Sequence, residues 1–161
     1  MADCHHNKAV TLIEMMVVLG IITVLAGIVV TLTLRVDNQS KERALDGAFA
    51  LLNTSLRQYY EFRDTFPSQP ERDSGLALAH IEFMLKELES VPDSRQVLNQ
   101  LDPGLIKSEA GLPEVRELRD PWGTVLDYIY DHSAGDRFPE LISAGPDRLF
   151  GTPDDISSKS R

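Results

Sequence analysis

Cysteine is nearly missing from this chain of 161 residues: Cys4 is its one thiol and stands ahead of the first apolar run, so no intrachain disulfide can form and no thiol site can be built in the remainder. A basic cluster is missing too. With a formal charge of -9 and no Lys/Arg-rich helix face, the chain repels phosphate backbones, and nucleic acid is excluded as an expected partner. The four histidines lack ligand spacing, since His5 and His6 precede the apolar run while His80 and His132 stand alone, without H-x-x-H or H-E-x-x-H. No G-x-S-x-G, P-loop or G-x-G-x-x-G occurs, and Asp131-His132-Ser133 reads as a turn rather than a triad. The expectation is a non-enzyme. At 42% apolar composition, much of it in one N-terminal run, the chain supports one small domain beside one anchor.

That run extends from Val10 to Leu34 and holds a single charge, Glu14, between Lys8 and Arg35. As a helix it would measure roughly 37 Å, more than the ~30 Å hydrocarbon core of a bilayer, and it contains no proline. A buried core helix would be shorter and amphipathic, whereas this stretch is apolar all round. A secretory signal is also a poor fit, because the run exceeds an h-region of about 7–15 residues and Thr33-Leu34-Arg35-Val36 offers no small-x-small cleavage site. Residues 10–34 are therefore expected to span a membrane. Lys8, with His5 and His6, places the N-terminus on the cytoplasmic side.

A carboxylate within a membrane helix costs several kcal/mol unless it is neutralised or paired. Glu14 has two readings. It can sit at headgroup depth, one turn into the run, or it can pair with an α-amino group created by cleavage before Val10, about 6 Å away along the axis.

The segment Lys8-Ala9-Val10-Thr11-Leu12-Ile13-Glu14-Met15-Met16-Val17-Val18-Leu19 resembles the processing signal and helix start of type IV pilins and type II secretion pseudopilins, which read K-G-F-T-L-I-E-L. Ala9 stands in place of the usual glycine and Val10 in place of the usual phenylalanine. The resemblance implies a leader over residues 1–9, cleavage between Ala9 and Val10 by a prepilin peptidase, methylation of the Val10 amine, and an assembly role for Glu14.

Beyond Arg35 the residues Ala44, Ala48, Leu51 or Leu52, Ser55 and Tyr59 recur at helical spacing up to about Arg63, where Asp64-Thr65-Phe66-Pro67 stops the helix. A second helix is expected from Gly75 to about Ser90, with Leu76, Ala79, Phe83 and Leu88 as its inward stripe, and a shorter one around Ser94 to Leu101. Thr124 to Tyr130 and Phe138 to Ser143 read as antiparallel strands joined by a turn over His132 to Asp136. The expected fold is α+β: a long N-terminal helix whose first half spans the membrane, packed on a small antiparallel sheet, with a globular domain over 35–161. Residues 68–118 carry no motif. Leu56-Arg57-Gln58-Tyr59-Tyr60 followed by Asp64-Thr65-Phe66-Pro67, and Asp120-Pro121-Trp122-Gly123, are similar to segments of the major pseudopilins of type II secretion.

Residues 143–156 gather three aspartates, two glycines and two prolines. Such a stretch is either a solvated acidic turn or an oxygen-rich loop of the kind that holds Ca²⁺, and its spacing is not that of an EF-hand. It resembles the calcium loop of the major pseudopilins, S-x-G-x-D-G leading to a closing D-I, with Arg148 where the family often has glycine. By that match Asp147, Asp154 and Asp155 give side-chain oxygens and Ala144 and Leu149 give carbonyls.

The resemblance implies a structural subunit of a periplasmic type II secretion pseudopilus, single-pass in the bacterial inner membrane. Its implied partners are further copies of itself in a helical filament, minor pseudopilins, the prepilin peptidase, the inner-membrane assembly platform and membrane lipid. The alternative is a type IV pilin of a surface fibre for adhesion, motility or DNA uptake. Such pilins commonly close a C-terminal loop with a disulfide, which this chain cannot make.

Overall fold

The computed structural model describes residues 12–109 and 112–160, with side chains described outside 29–36 and 108–115. Residues 1–11, which include the expected leader, lie outside that description. Two units are distinguished, the first ending at Gln39 and the second running Ser40–Arg161. That boundary lies a few residues beyond the expected 34/35 division and inside helix α1, Leu12–Arg63.

In the first unit the large apolar side chains from Leu12 to Ile28 are between 46% and 79% exposed, on every side of the helix. Among the described residues, no helix is long and apolar enough to cross a membrane. The expected span over 10–34 takes in residues 10 and 11 and the side chains of 29–34, which lie outside the description.

The second unit is built on the C-terminal part of α1. Leu45, Ala48, Phe49, Leu52, Ser55, Leu56 and Tyr59 are buried at intervals of three and four, the period that puts them on one stripe. Ala44 is exposed and Leu51 half-buried, so the inward face is centred slightly off the expected one. The helix ends as expected: Asp64 takes φ 56°, its N–H bonding the Tyr60 carbonyl at 2.8 Å, and Phe66-Pro67 follows outside the helix.

Helix α2, Ala77–Glu89, follows a 3₁₀ turn at Ser74–Leu76 whose first N–H groups are capped by Asp73. Its buried residues are Ala77, His80, Ile81, Met84, Leu85 and Leu88. The expected stripe is therefore corrected. Only Leu88 of it faces the core, while Leu76 (43%) and Phe83 (40%) are exposed, as is Ala79. The helix has two apolar faces, and the one carrying more volume over two full turns wins burial. Helix α3, Pro92–Leu98, starts on a proline whose missing N–H costs nothing in a first turn.

Two antiparallel sheets complete the unit. Strands β1 (Ile106–Glu109) and β2 (Leu112–Leu118) form a hairpin inside the region that carried no motif. Strands β3 (Asp127–Ile129), β4 (Glu140–Ser143) and β5 (Ile156–Ser157) form a three-stranded sheet in the order β3-β4-β5. The expected strand pair is present, and β5 adds a third strand. Tyr128, Leu141, Leu118, Leu126 and Trp122 join the α1 and α2 side chains in one core. Tyr59 donates to Glu87 Oε2 at 2.8 Å, and Ser55 Oγ lies 2.7 Å from Ser94 Oγ, so polar bonds also fix α1 against α2 and α3.

Candidate functional site: the helix start and the acidic loop

Glu14 lies in the first turn of α1, where a carboxylate complements the partial positive charge of the helix N-terminus. Its side chain is exposed. Ala9 and Val10, the expected processing pair, lie outside the described residues.

The acidic stretch is the connection from β4 to β5. Because Ser143 and Ile156 are register partners, the loop between them is closed at its base by the sheet itself. Three residues within it take left-handed backbone: Gly145 (φ 66°), Arg148 (φ 63°) and Gly151 (φ 83°). Arg148 thus adopts a conformation that glycine takes freely and that residues with a Cβ rarely do. Gly145 is required sterically as well, since a Cβ there would lie 2.1 Å from the Asp154 carbonyl oxygen.

The loop's carboxylates cap its own turns. Asp147 Oδ1 accepts the Leu149 N–H at 2.9 Å, and Asp155 Oδ2 accepts the Gly151 N–H at 2.7 Å. Thr152 Oγ1 donates to the Leu149 carbonyl at 3.3 Å and accepts the Asp154 N–H at 3.3 Å. Asp155 Oδ1 is buried and has no hydrogen-bond partner. Ala144 is fully buried at the loop's entry, and Leu149 is 63% exposed. Among the described residues, no group of three or more His, Cys, Asp or Glu side chains stands ready to hold a metal ion. Asp147, Asp154 and Asp155 share one loop but are not gathered as three converging carboxylates. Any ion held here would rely on main-chain carbonyls for much of its shell, and the orphaned Asp155 Oδ1 fits such a mixed oxygen set.

Two polar centres were not foreseen. Asp120 is buried and accepts the N–H groups of Trp122 (3.0 Å) and Thr124 (2.9 Å) and the hydroxyl of Ser143 (2.7 Å). The Asp-Pro-x-Gly pattern was the available signal, since aspartate at the first position of a turn accepts main-chain N–H groups further on. His80 on α2 meets Asp127 on β3, with Nδ1 and Oδ1 2.7 Å apart and both residues buried. His80 stood alone in sequence because its partner lies 47 residues away. Beside the end of α1, an open cleft of about 360 Å³ is lined by Tyr60, Asp64, Phe66, Tyr130, His132 and Arg137 among others. It mixes charges of both signs and brings no nucleophile to a base.

Comparison with known proteins agrees with the helix start. Residues 4–30 match the model of the prokaryotic N-terminal methylation motif. The chain is 33% identical over 159 residues to the type II secretion system core protein G of Escherichia coli (strain K12), a match covering 98% of this chain and 94% of the relative. No solved structure matches the chain. A match of that identity over nearly both full lengths, with the methylation motif at its start, makes the chain a structural subunit rather than an enzyme, and it belongs to the family of type II secretion core protein G, the major pseudopilins.

Proposed function

We propose that this pseudopilin is cut between Ala9 and Val10, methylated on the new amine, held in the inner membrane by residues 10–34 and then drawn into a periplasmic filament of further copies. One observation carries the reading. A methylation motif leads into a helix whose apolar side chains, from Leu12 to Ile28, have no protein cover on any side. Lipid covers such a surface in the stored subunit, and the helices of neighbouring subunits cover it in the filament. Gly20, Ala26 and Gly27 permit close approach, and nothing lies within 4 Å of a Cβ added at either glycine. Glu14 is the one carboxylate of this surface, and pairing it with the Val10 amine of a neighbour removes its cost in a low-dielectric setting. Minor pseudopilins, the peptidase and the assembly platform are the further partners of this pathway.

The experiment compares the parent with Glu14→Ala in cells that carry the secretion machinery. The parent is expected in sheared filaments and the variant only in the membrane fraction, with both processed alike. Equal filament yields would overturn the role of Glu14.

The acidic loop over 143–156 is proposed to take Ca²⁺ through carbonyls such as those of Ala144 and Leu149 together with carboxylate oxygen from Asp147, Asp154 and Asp155. Three features support this: donors that are all oxygen, ends pinned by β4 and β5, and the unpartnered Asp155 Oδ1. A bound ion would cross-link the loop where no disulfide can.

A further inference from the structure

The first turn of the acidic loop is held by a carboxylate outside it. Ser143, fully buried at the end of β4, donates its hydroxyl to Asp120 Oδ2 at 2.7 Å and accepts the Gly145 N–H at 3.1 Å. Gly145 in turn packs so closely on the Asp154 main chain that no side chain could stand there. Asp120 is itself fixed, because its Oδ1 takes the N–H groups of Trp122 and Thr124 and its N–H meets the Thr124 carbonyl at 2.7 Å. Among the described residues no cation pairs with it, so all its acceptor contacts are neutral donors that fix its direction.

We propose that Asp120 and Ser143 are positioning residues for a calcium ion in the loop over 143–156. They hold the Gly145 turn against the Asp154-Asp155 arm before any ion arrives. The inference rests on the calcium reading above and adds to it two residues outside the donor set. The physical reason is preorganisation. A loop with three left-handed residues samples many conformations when its base is loose, and an ion must then order it at its own expense. Partners that orient metal ligands are typically worth about 10–100-fold in affinity.

The test uses the full chain in detergent, stripped with chelator and titrated with calcium by calorimetry, with the melting midpoint of the chelated form measured beside it. Ser143→Ala and Asp120→Asn are each expected to raise the calcium Kd about tenfold or more. Asp120→Asn keeps an oxygen for the Trp122 and Thr124 N–H groups and changes chiefly the contact to Ser143, so it preserves the test if Ser143→Ala fails to fold. Ile81→Val, a core change on α2, is expected to lower the chelated midpoint without moving the Kd. Variants that lower the midpoint yet bind calcium like the parent would overturn the proposal alone. A parent that takes up no calcium would overturn the calcium reading and this inference with it.

Discussion

At the scale of single residues, the buried pair of His80 and Asp127 shows why local sequence understates polar chemistry. The Nδ1–H donates to a carboxylate oxygen that also accepts the Tyr128 N–H at 2.8 Å, and the His80 Nε2 is buried without a partner. Removing one side leaves the other stranded in the core, so His80→Ala is expected to cost about 3–5 kcal/mol in denaturant unfolding. A loss under about 1 kcal/mol would mean that the pair is dispensable. The tyrosines give a second residue-level expectation. Burial, and then the hydrogen bond to Glu87, pushes Tyr59 up to about 12, and burial raises Tyr128 as well, its hydroxyl donating to the Pro67 carbonyl. The folded chain therefore keeps protons that the unfolded chain releases from about pH 10. Stability should be intact below that pH and fall as pH rises toward about 12, with Tyr59→Phe giving a shallower fall in unfolding free energy. Neither pair was legible in sequence, because 47 residues separate His80 from Asp127 and 28 separate Tyr59 from Glu87, and nothing in composition reports such distances.

At the scale of elements, the sequence was most readable where one face of a helix carries all the apolar volume. The C-terminal part of α1 and its stop at Arg63 follow from period and from Phe66-Pro67, and β3 and β4 from their aromatic and branched residues. Helix α2 misled because seven of its first nine residues are apolar and they fall on more than one side, so a three- and four-residue period can be drawn through either face. Packing against β2 and β3 decides between them, with Arg116 of β2 pairing to Glu89 as a further tie. Ile81→Ala should then cost about 2–5 kcal/mol and Phe83→Ala no more than about 0.5 kcal/mol. Urea denaturation of both variants decides the matter, and the reverse order would put the inward face back on Leu76 and Phe83. The hairpin β1–β2 escaped notice because the residues between its strands carry no Asn-Gly or Asp-Gly signal, and because Lys107-Ser108-Glu109, Pro113 and Arg116-Glu117 break the apolar alternation that marks a strand. The acidic loop was recognised from composition, but its closure by β5 was not, since two residues are too short a run to read as a strand.

At the scale of the molecule, the chain has a helix whose large apolar side chains from Leu12 to Ile28 are exposed and, from Ser40 onward, a unit with a continuous core. That division suits a subunit that waits in lipid and then exchanges lipid for neighbours. A soluble domain would have no use for so large an uncovered apolar surface. In the proposed function, processing turns the stored form into an assembling one by creating an amine at Val10 with which the Glu14 of a neighbouring subunit can pair. The most direct test is therefore the mass of the N-terminal peptide of the chain recovered from membranes of cells that contain a prepilin peptidase. The account predicts a chain that begins at Val10 and carries one added methyl group on its amine. A chain in those membranes that still begins at Met1, with no cut between Ala9 and Val10, would contradict it.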